Sequence, residues 1–165
     1  MDNIILIGMP GCGKSTVGVL LAKRLGYRYI DLDLLIQEAA GKRLFEILRD
    51  DGEEAFADLE NRVGAEVQAT RTVIATGGSI VYGKDAMANL TALGRTVYLR
   101  VPFDELVKRI NNFETRGILM KKGQTLADIY AERTPLYEQY ADLTVDCDGG
   151  DLTDNALRIE NALGL

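Results

Sequence analysis

The sequence predicts an α/β fold: one five-stranded parallel sheet with helices on both faces, a three-layer α/β/α arrangement. Two observations carry that prediction. Five short apolar runs, most of them rich in β-branched residues, alternate with segments of helical periodicity along the 165 residues. The runs are continuously apolar rather than alternating, as strands covered on both faces are. A composition of 47% hydrophobic and 27% charged residues supplies the core such a sheet needs. No internal repeat, low-complexity tract or linker divides the chain, so residues 1–165 are expected to form a single domain.

Ile4-Ile5-Leu6-Ile7 is the first strand, ended by Gly8 and Pro10-Gly11. Val17, Leu20, Leu21 and Leu25 then recur at helical spacing from Lys14, and Gly26 is placed to cap that helix. Tyr29-Ile30 leads into Asp31-Leu32-Asp33, read as a strand end carrying two acids on one face. Helical pieces are expected over 34–40, 44–48 and 53–69, the last striped by Phe56, Leu59, Val63 and Val67. Val73-Ile74-Ala75 is the third strand and runs into Thr76-Gly77-Gly78-Ser79. A helix follows over 85–93, then a strand over 96–99 and a helix from Pro102 to about Asn111. Residues 114–124 contain three basic residues and two glycines without periodicity, and read as a mobile loop. Thr125 to Asp128 is a helix start of the capping-box type, and Pro135 is expected to interrupt and bend that helix. A strand over 143–145, a turn over 148–151 and a helix over 152–163 complete the chain.

Composition removes several chemistries. The chain has no His, so no Ser-His-Asp triad, Cys-His dyad or His-ligated metal is available, and any general base is Asp, Glu, Lys or Tyr. A net charge of −6 disfavours nucleic acid as the partner, although a local basic pocket can still hold a small anion. Two cysteines make neither a disulfide framework nor a zinc site. The absence of a basic segment leading an apolar stretch at the N-terminus, and of any long apolar run, gives a cytoplasmic, membrane-free expectation.

Gly8-Met9-Pro10-Gly11-Cys12-Gly13-Lys14-Ser15 matches G-x-x-x-x-G-K-[ST] between a buried strand and a helix. In that setting, backbone N–H groups curl around phosphate oxygens and the helix N-terminus adds its dipole. Lys14 reaches the β and γ phosphates, and Ser15 offers a hydroxyl to Mg²⁺. A switch GTPase would need an N-K-x-D guanine reader, which the chain lacks. A regulatory module that binds nucleotide without turnover need not keep acids at the catalytic strand end, where Asp31 and Asp33 stand. A nucleoside monophosphate kinase would need substrate-binding insertions for which 165 residues leave little room. In open parallel sheets the ligand lies beyond the carboxyl ends of the strands, so Asp31 and Asp33 are candidates to hold a water of the Mg²⁺ shell and to accept a proton from an attacking hydroxyl. Acids at a strand end also serve as plain helix N-caps. Thr76-Gly77-Gly78 is either a simple turn or a backbone surface that a substrate approaches closely.

With these motifs in order, the chain resembles the shikimate kinases along nearly its whole length. The resemblance is carried by the P-loop with Thr16, Asp31 and Asp33, Gly52-Glu53-Glu54-Ala55-Phe56 with Glu60, Ala75-Thr76-Gly77-Gly78, and Glu132-Arg133-Thr134-Pro135-Leu136-Tyr137-Glu138 with Ala141-Asp142. It implies a P-loop kinase fold with substrate-binding helices at about 33–69 and a lid at about 114–124. It implies ATP-dependent phosphoryl transfer to shikimate, with ATP and Mg²⁺ as cofactors and a monomer acting on a small molecule. Gly11, Cys12, Gly13, Lys14, Ser15 and Thr16 would hold the nucleotide, with Arg109 on the adenine. Ser15 and, through water, Asp31 would hold Mg²⁺. Asp33 would bind and orient the attacking hydroxyl, Gly77 and Gly78 would contact the substrate, Arg133 would bind its carboxylate, and Arg116 would reach the transferring phosphate.

Three departures stand beside the matches. Ala57 replaces a family arginine that is a second carboxylate ligand, and no cation shares its helix face; Arg62 lies roughly 140° away around the helix. Ser79 replaces a third glycine, and Gly117 replaces a proline of the lid. The departures leave open a different hydroxylated metabolite as acceptor, or a nucleotide-binding regulatory relative.

Overall fold

A computed structural model describes residues 2–110 and 117–165. The sheet is built from β1 (Asn3–Ile7), β2 (Arg28–Asp31), β3 (Thr72–Ala75), β4 (Gly94–Arg100) and β5 (Leu143–Asp146) in the spatial order β2-β3-β1-β4-β5. Every pair is parallel, with Ile5 opposite Ile74 on one side and Thr96 on the other. Parallel pairing forces each connection to cross from one end of the sheet to the other. All five carboxyl ends therefore share one edge, and the loops that follow them share one surface.

The crossings are made by α1 (Lys14–Leu25), α2 (Leu32–Ala40), α3 (Leu44–Glu66), α4 (Lys84–Leu93), α5 (Phe103–Arg109) and α6 (Leu126–Tyr140), and α7 (Leu152–Leu163) follows β5. α1 packs on α7, and α3 packs on α4. Ile5, Leu6 and Ile7 are fully buried in the centre of the sheet. Each such side chain contributes roughly 1.5–3 kcal/mol of transfer free energy, which explains why β1 tolerates no polar alternation. A smaller cluster of Ile36, Leu44, Ile47 and Phe56 joins α2 to α3 beside the main core.

Several local expectations are corrected. β2 ends at Asp31, so Asp31 and Asp33 do not share a strand. Asp31 is the N-cap of α2, and its Oδ1 accepts the N–H of Asp33, 3.0 Å away, in the first turn. The cap outcompetes strand extension because it satisfies an otherwise orphaned amide. Pro135 does not interrupt α6, which runs from Leu126 to Tyr140 through it. The capping box of Thr125 and Asp128 is present. The helical pieces expected over 44–48 and 53–69 are both present as the two arms of α3, separated by a non-helical Gly52 whose φ of 90° only glycine adopts without strain; the second arm ends at Glu66. The helix from Pro102 closes at Arg109 rather than Asn111.

The amino ends of the strands are held by one side chain. Asn3, 4% exposed, donates from Nδ2 to the carbonyls of Ala69 and Leu93, both at 2.9 Å, and accepts the Thr72 N–H at 3.0 Å. It thereby fixes where β3 and β4 begin relative to β1. Asn3→Ala leaves three buried backbone groups without partners. The expected loss is roughly 2–4 kcal/mol, read as a lower urea midpoint with an unchanged denaturant slope.

Candidate active site

At the carboxyl edge the P-loop turns out of β1 and into α1. Gly8 runs so close to β4 that a Cβ there would lie 2.8 Å from the Leu99 carbonyl oxygen. Lys14 is buried, and its ammonium donates to the carbonyls of Gly8 at 2.7 Å and Met9 at 2.8 Å. The loop thus holds its own cation at the mouth of its cradle. Ser15 is exposed and donates from Oγ to Asp31 Oδ2 at 2.9 Å, which Tyr29 also approaches at 3.3 Å. A serine hydroxyl beside a carboxylate is a hard oxygen set, and Mg²⁺ takes few protein ligands and several waters. Ser15 directly and Asp31 through water therefore fit that ion.

One cavity of about 410 Å³ joins the loop to the acceptor side. Pro10, Gly11, Gly13, Lys14, Ser15 and Thr16 line one end, and Asp33, Gly77, Gly78 and Arg133 line the other. The expected site residues on these two segments are thus brought to one space. Cys12 is buried behind the loop. Arg109 sits beside it, 3.5 Å from the carbonyl of Cys12 and 3.5 Å from that of Cys147, and pairs with Glu105. Arg116 lies outside the described residues.

Two acids face each other across Gly77. Asp33 Oδ1 and Glu60 Oε2 each lie 2.9 Å from where a Cβ on that glycine would stand. Gly78 is pressed the same way against Pro10, whose Cδ is 2.7 Å from the corresponding position. This alters the reading of the glycine pair. Their side-chain space is filled by the protein itself, so glycine is required here before any ligand arrives. The Gly78 carbonyl accepts the hydroxyl of Tyr137, a fully buried residue stacked on Tyr98.

Burial raises the Asp33 carboxyl to about 6, the neighbouring Asp31 charge adds to the rise, and Lys14 opposes it. Burial likewise raises Glu60 to about 7, against the Ser79 hydrogen bond and with help from the Asp33 charge. Ser79 donates to Glu60 Oε1 at 2.6 Å, while Oε2 has no partner among the described residues. Arg133, 2% exposed, gives one Nη to the Leu119 carbonyl and lies over the Tyr82 ring, 5.4 Å from its centre; its Nε is unpartnered among the described residues.

The sequence reading did not single out the walls made by Leu44, Phe56, Ile118 and Leu119, nor the Ser79–Glu60 hydrogen bond. Leu44 and Phe56 carried no signal, because apolar residues at helical spacing read as core, and Ile118 and Leu119 lie in a segment without periodicity. Glu60 carried one: an acid one turn beyond Phe56, on a face otherwise apolar. Gly117 has a φ of +63°, and a Cβ there would collide with that of Leu44. Proline, locked near −65°, has no access to that conformation, so the departure from proline matches the path of this chain.

Fold and site together define a P-loop phosphotransferase for a small acceptor. A family model described as shikimate kinase matches residues 10–163. A shikimate kinase of Gloeobacter violaceus is 42% identical over 151 residues, covering 89% of this chain and 84% of its own. One of Persephonella marina is 33% identical, covering 90% and 91%. The solved shikimate kinase of Acinetobacter baumannii, in complex with shikimate, superposes with a TM-score of 0.88 at 31% identity, covering 99% of this chain and 94% of the other. The chain belongs to the shikimate kinase family.

The raised acids make stability depend on pH. Between about pH 4 and 7 the folded chain binds more protons than the unfolded one, so stability falls as pH rises through that window. Glu60→Gln removes part of the slope. Between pH 5 and 8 the variant is expected to lose roughly 2–3 kcal/mol less than the native protein, measured by urea unfolding at the two pH values. Identical slopes would mean that Glu60 titrates normally.

Proposed function

We propose that residues 1–165 act as one kinase domain that transfers the γ-phosphoryl group of ATP to a hydroxyl of shikimate. One observation carries the reading: a single cavity of about 410 Å³ holds the P-loop at one end and Asp33, Gly77, Gly78 and Arg133 at the other. That volume suits one small acceptor beside a triphosphate. The identities of 42% and 33% to shikimate kinases support shikimate over other hydroxylated metabolites. Among the described residues no helix is long and apolar enough to cross a membrane, and both cysteines are buried free thiols.

Phosphoryl transfer asks chiefly for alignment and charge neutralisation. The P-loop amides and Lys14 take the phosphates, and Lys14 exchanges its loop carbonyls for phosphate oxygens. Mg²⁺ at Ser15 would neutralise charge that develops on the phosphoryl oxygens. Arg133 takes the carboxylate of the acceptor and so sets which hydroxyl meets Asp33. Asp33 orients that hydroxyl and accepts its proton. A carboxyl raised to about 6 is a better base than an ordinary aspartate and is still ionised at neutral pH. Phe56, Leu44 and Leu119 supply apolar walls to the same cavity.

The test is coupled ADP release over a panel of hydroxy acids and polyols with shikimate included. Shikimate is expected as the best acceptor; a better acceptor without a carboxylate would overturn the assignment. In the same assay, log kcat/KM should fall with unit slope below about pH 6 as Asp33 of the free protein protonates. Asp33→Asn should lower kcat by about a hundredfold or more with little change in ATP affinity. A fall in ATP affinity without loss of kcat would instead assign Asp33 to the nucleotide.

A further inference from the structure

Beside the main cavity lies a second one of about 310 Å³, lined by Ala57, Glu60, Asn61, Ser79, Tyr82 and Lys84 among others. Glu60, Ser79 and Leu119 line both, so the two adjoin at the acceptor end. We propose that Lys84 supplies a second positive charge to the carboxylate of the acceptor, opposite Arg133, across the space left open by Ala57. The inference rests on the shikimate reading, because it needs an acceptor that carries a carboxylate.

The placement of Lys84 follows from helix packing. Asn61, one turn beyond Ala57 on α3, accepts the Ala86 N–H at 3.0 Å and donates to Asp85 at 2.9 Å. It thereby clamps the first turn of α4 to α3, and Lys84 is the first residue of that turn. Gly64 deepens the contact, since a Cβ there would lie 2.5 Å from that of Ala86. Lys84 is thus carried to the wall that Ala57 leaves bare. On the other side, Tyr82 lines the same cavity and packs under the Arg133 guanidinium. Arg133 thus lines the main cavity and Lys84 the adjoining one, and Tyr82 joins the two.

Nothing local explains a lysine here. A cation at a helix N-terminus opposes the helix dipole. Among the described residues no carboxylate lies within ion-pair distance of Lys84; Asp85 is engaged by Asn61, and Asp58 is exposed. Arg133 needs help, because part of its guanidinium is held by the Leu119 carbonyl. Glu60 does not bar an anion. Its carboxyl is raised to about 7, so near neutral pH a substantial fraction is already neutral, and an anion beside it favours that neutral, donating form. Lysine suits the position because its charge sits on a flexible stem and needs no fixed fork geometry.

The experiment compares the native protein with Lys84→Gln and Lys84→Arg, by steady-state kinetics on shikimate and by calorimetric binding of shikimate and its methyl ester. Lys84→Gln is expected to raise KM for shikimate about tenfold, near 1.4 kcal/mol, with kcat within about twofold. Lys84→Arg is expected to keep most of the affinity. The preference for acid over ester should shrink in Lys84→Gln by the same factor as the affinity falls, which a general loosening of the fold would not produce. Unchanged KM in Lys84→Gln, or an equal loss for acid and ester, overturns the inference and leaves the kinase reading standing. No turnover of shikimate by the native protein overturns the reading and the inference together.

Discussion

The contact of Pro10 with Gly78 sets the spacing on which the active site depends. The loop after β1 and the loop after β3 emerge side by side because their strands are paired in parallel with Leu6 opposite Ala75. Side-by-side loops would ordinarily keep a side chain's width between them. Here Gly78 removes that width and Pro10 occupies it, while Tyr137 reaches from α6 to take the Gly78 carbonyl and approaches the Met9 sulfur at 3.8 Å. Phosphate loop, acceptor loop and the helix that carries Arg133 are thereby locked into one unit. In-line transfer tolerates little error in the distance from phosphate to hydroxyl. Fixing both loops to each other is more direct than fixing each to the core.

That closeness has an electrostatic cost. It gathers Asp31, Asp33 and Glu60 near one cavity, and two of the three are held well above the usual carboxylate range. The protein answers with internal partners. Lys14 lies on loop carbonyls, Ser15 on Asp31, and Ser79 on Glu60. Each of these bonds is to a group that the proposed mechanism needs free or redirected. The unpartnered Glu60 Oε2 and Arg133 Nε mark where the internal answers run out. Both atoms belong to residues that line the main cavity, as expected of polar groups set aside for a ligand.

The sheet was legible because its strands are buried on both faces, and continuous apolar runs alternating with helical segments are hard to bury in any arrangement but a covered parallel sheet. The P-loop was legible because its glycines and lysine stand at fixed spacing. What escaped was decided by competition between local and distant partners. Asp31 and Asp33 read as strand neighbours by spacing, yet capping of α2 gave Asp31 a partner that a strand would not. Gly77 and Gly78 read as open backbone, yet the atoms filling their side-chain space come from Asp33, Glu60 and Pro10, which are distant in sequence. Pro135 reads as an interruption because it lacks an N–H; the helix nonetheless continues, with Arg133 and Tyr137 buried on either side of it. For the glycine pair the deciding contacts span elements, which a single sequence does not print; for Asp31 the contact is local, and the cap was one of two readings its position allowed.

The departures from the family pattern are connected physically. An arginine at position 57 would stand one turn from Glu60 on the same face of α3, where it would both hold an acceptor carboxylate and keep the glutamate charged. With Ala57, the charge on Glu60 loses that partner, and burial pushes its proton back on. A hydroxyl donor then becomes useful where a glycine stands in the family, and Ser79 supplies it at 2.6 Å. The serine satisfies one carboxyl oxygen and favours its charged form, so it offsets part of the rise that burial causes. The geometry of the acceptor end changes with it, from a fork on α3 to a cavity whose wall is shared by α3 and α4. Substitutions at 57 and 79 are therefore expected to be energetically coupled through Glu60, since each alters the partner that the same buried carboxyl requires.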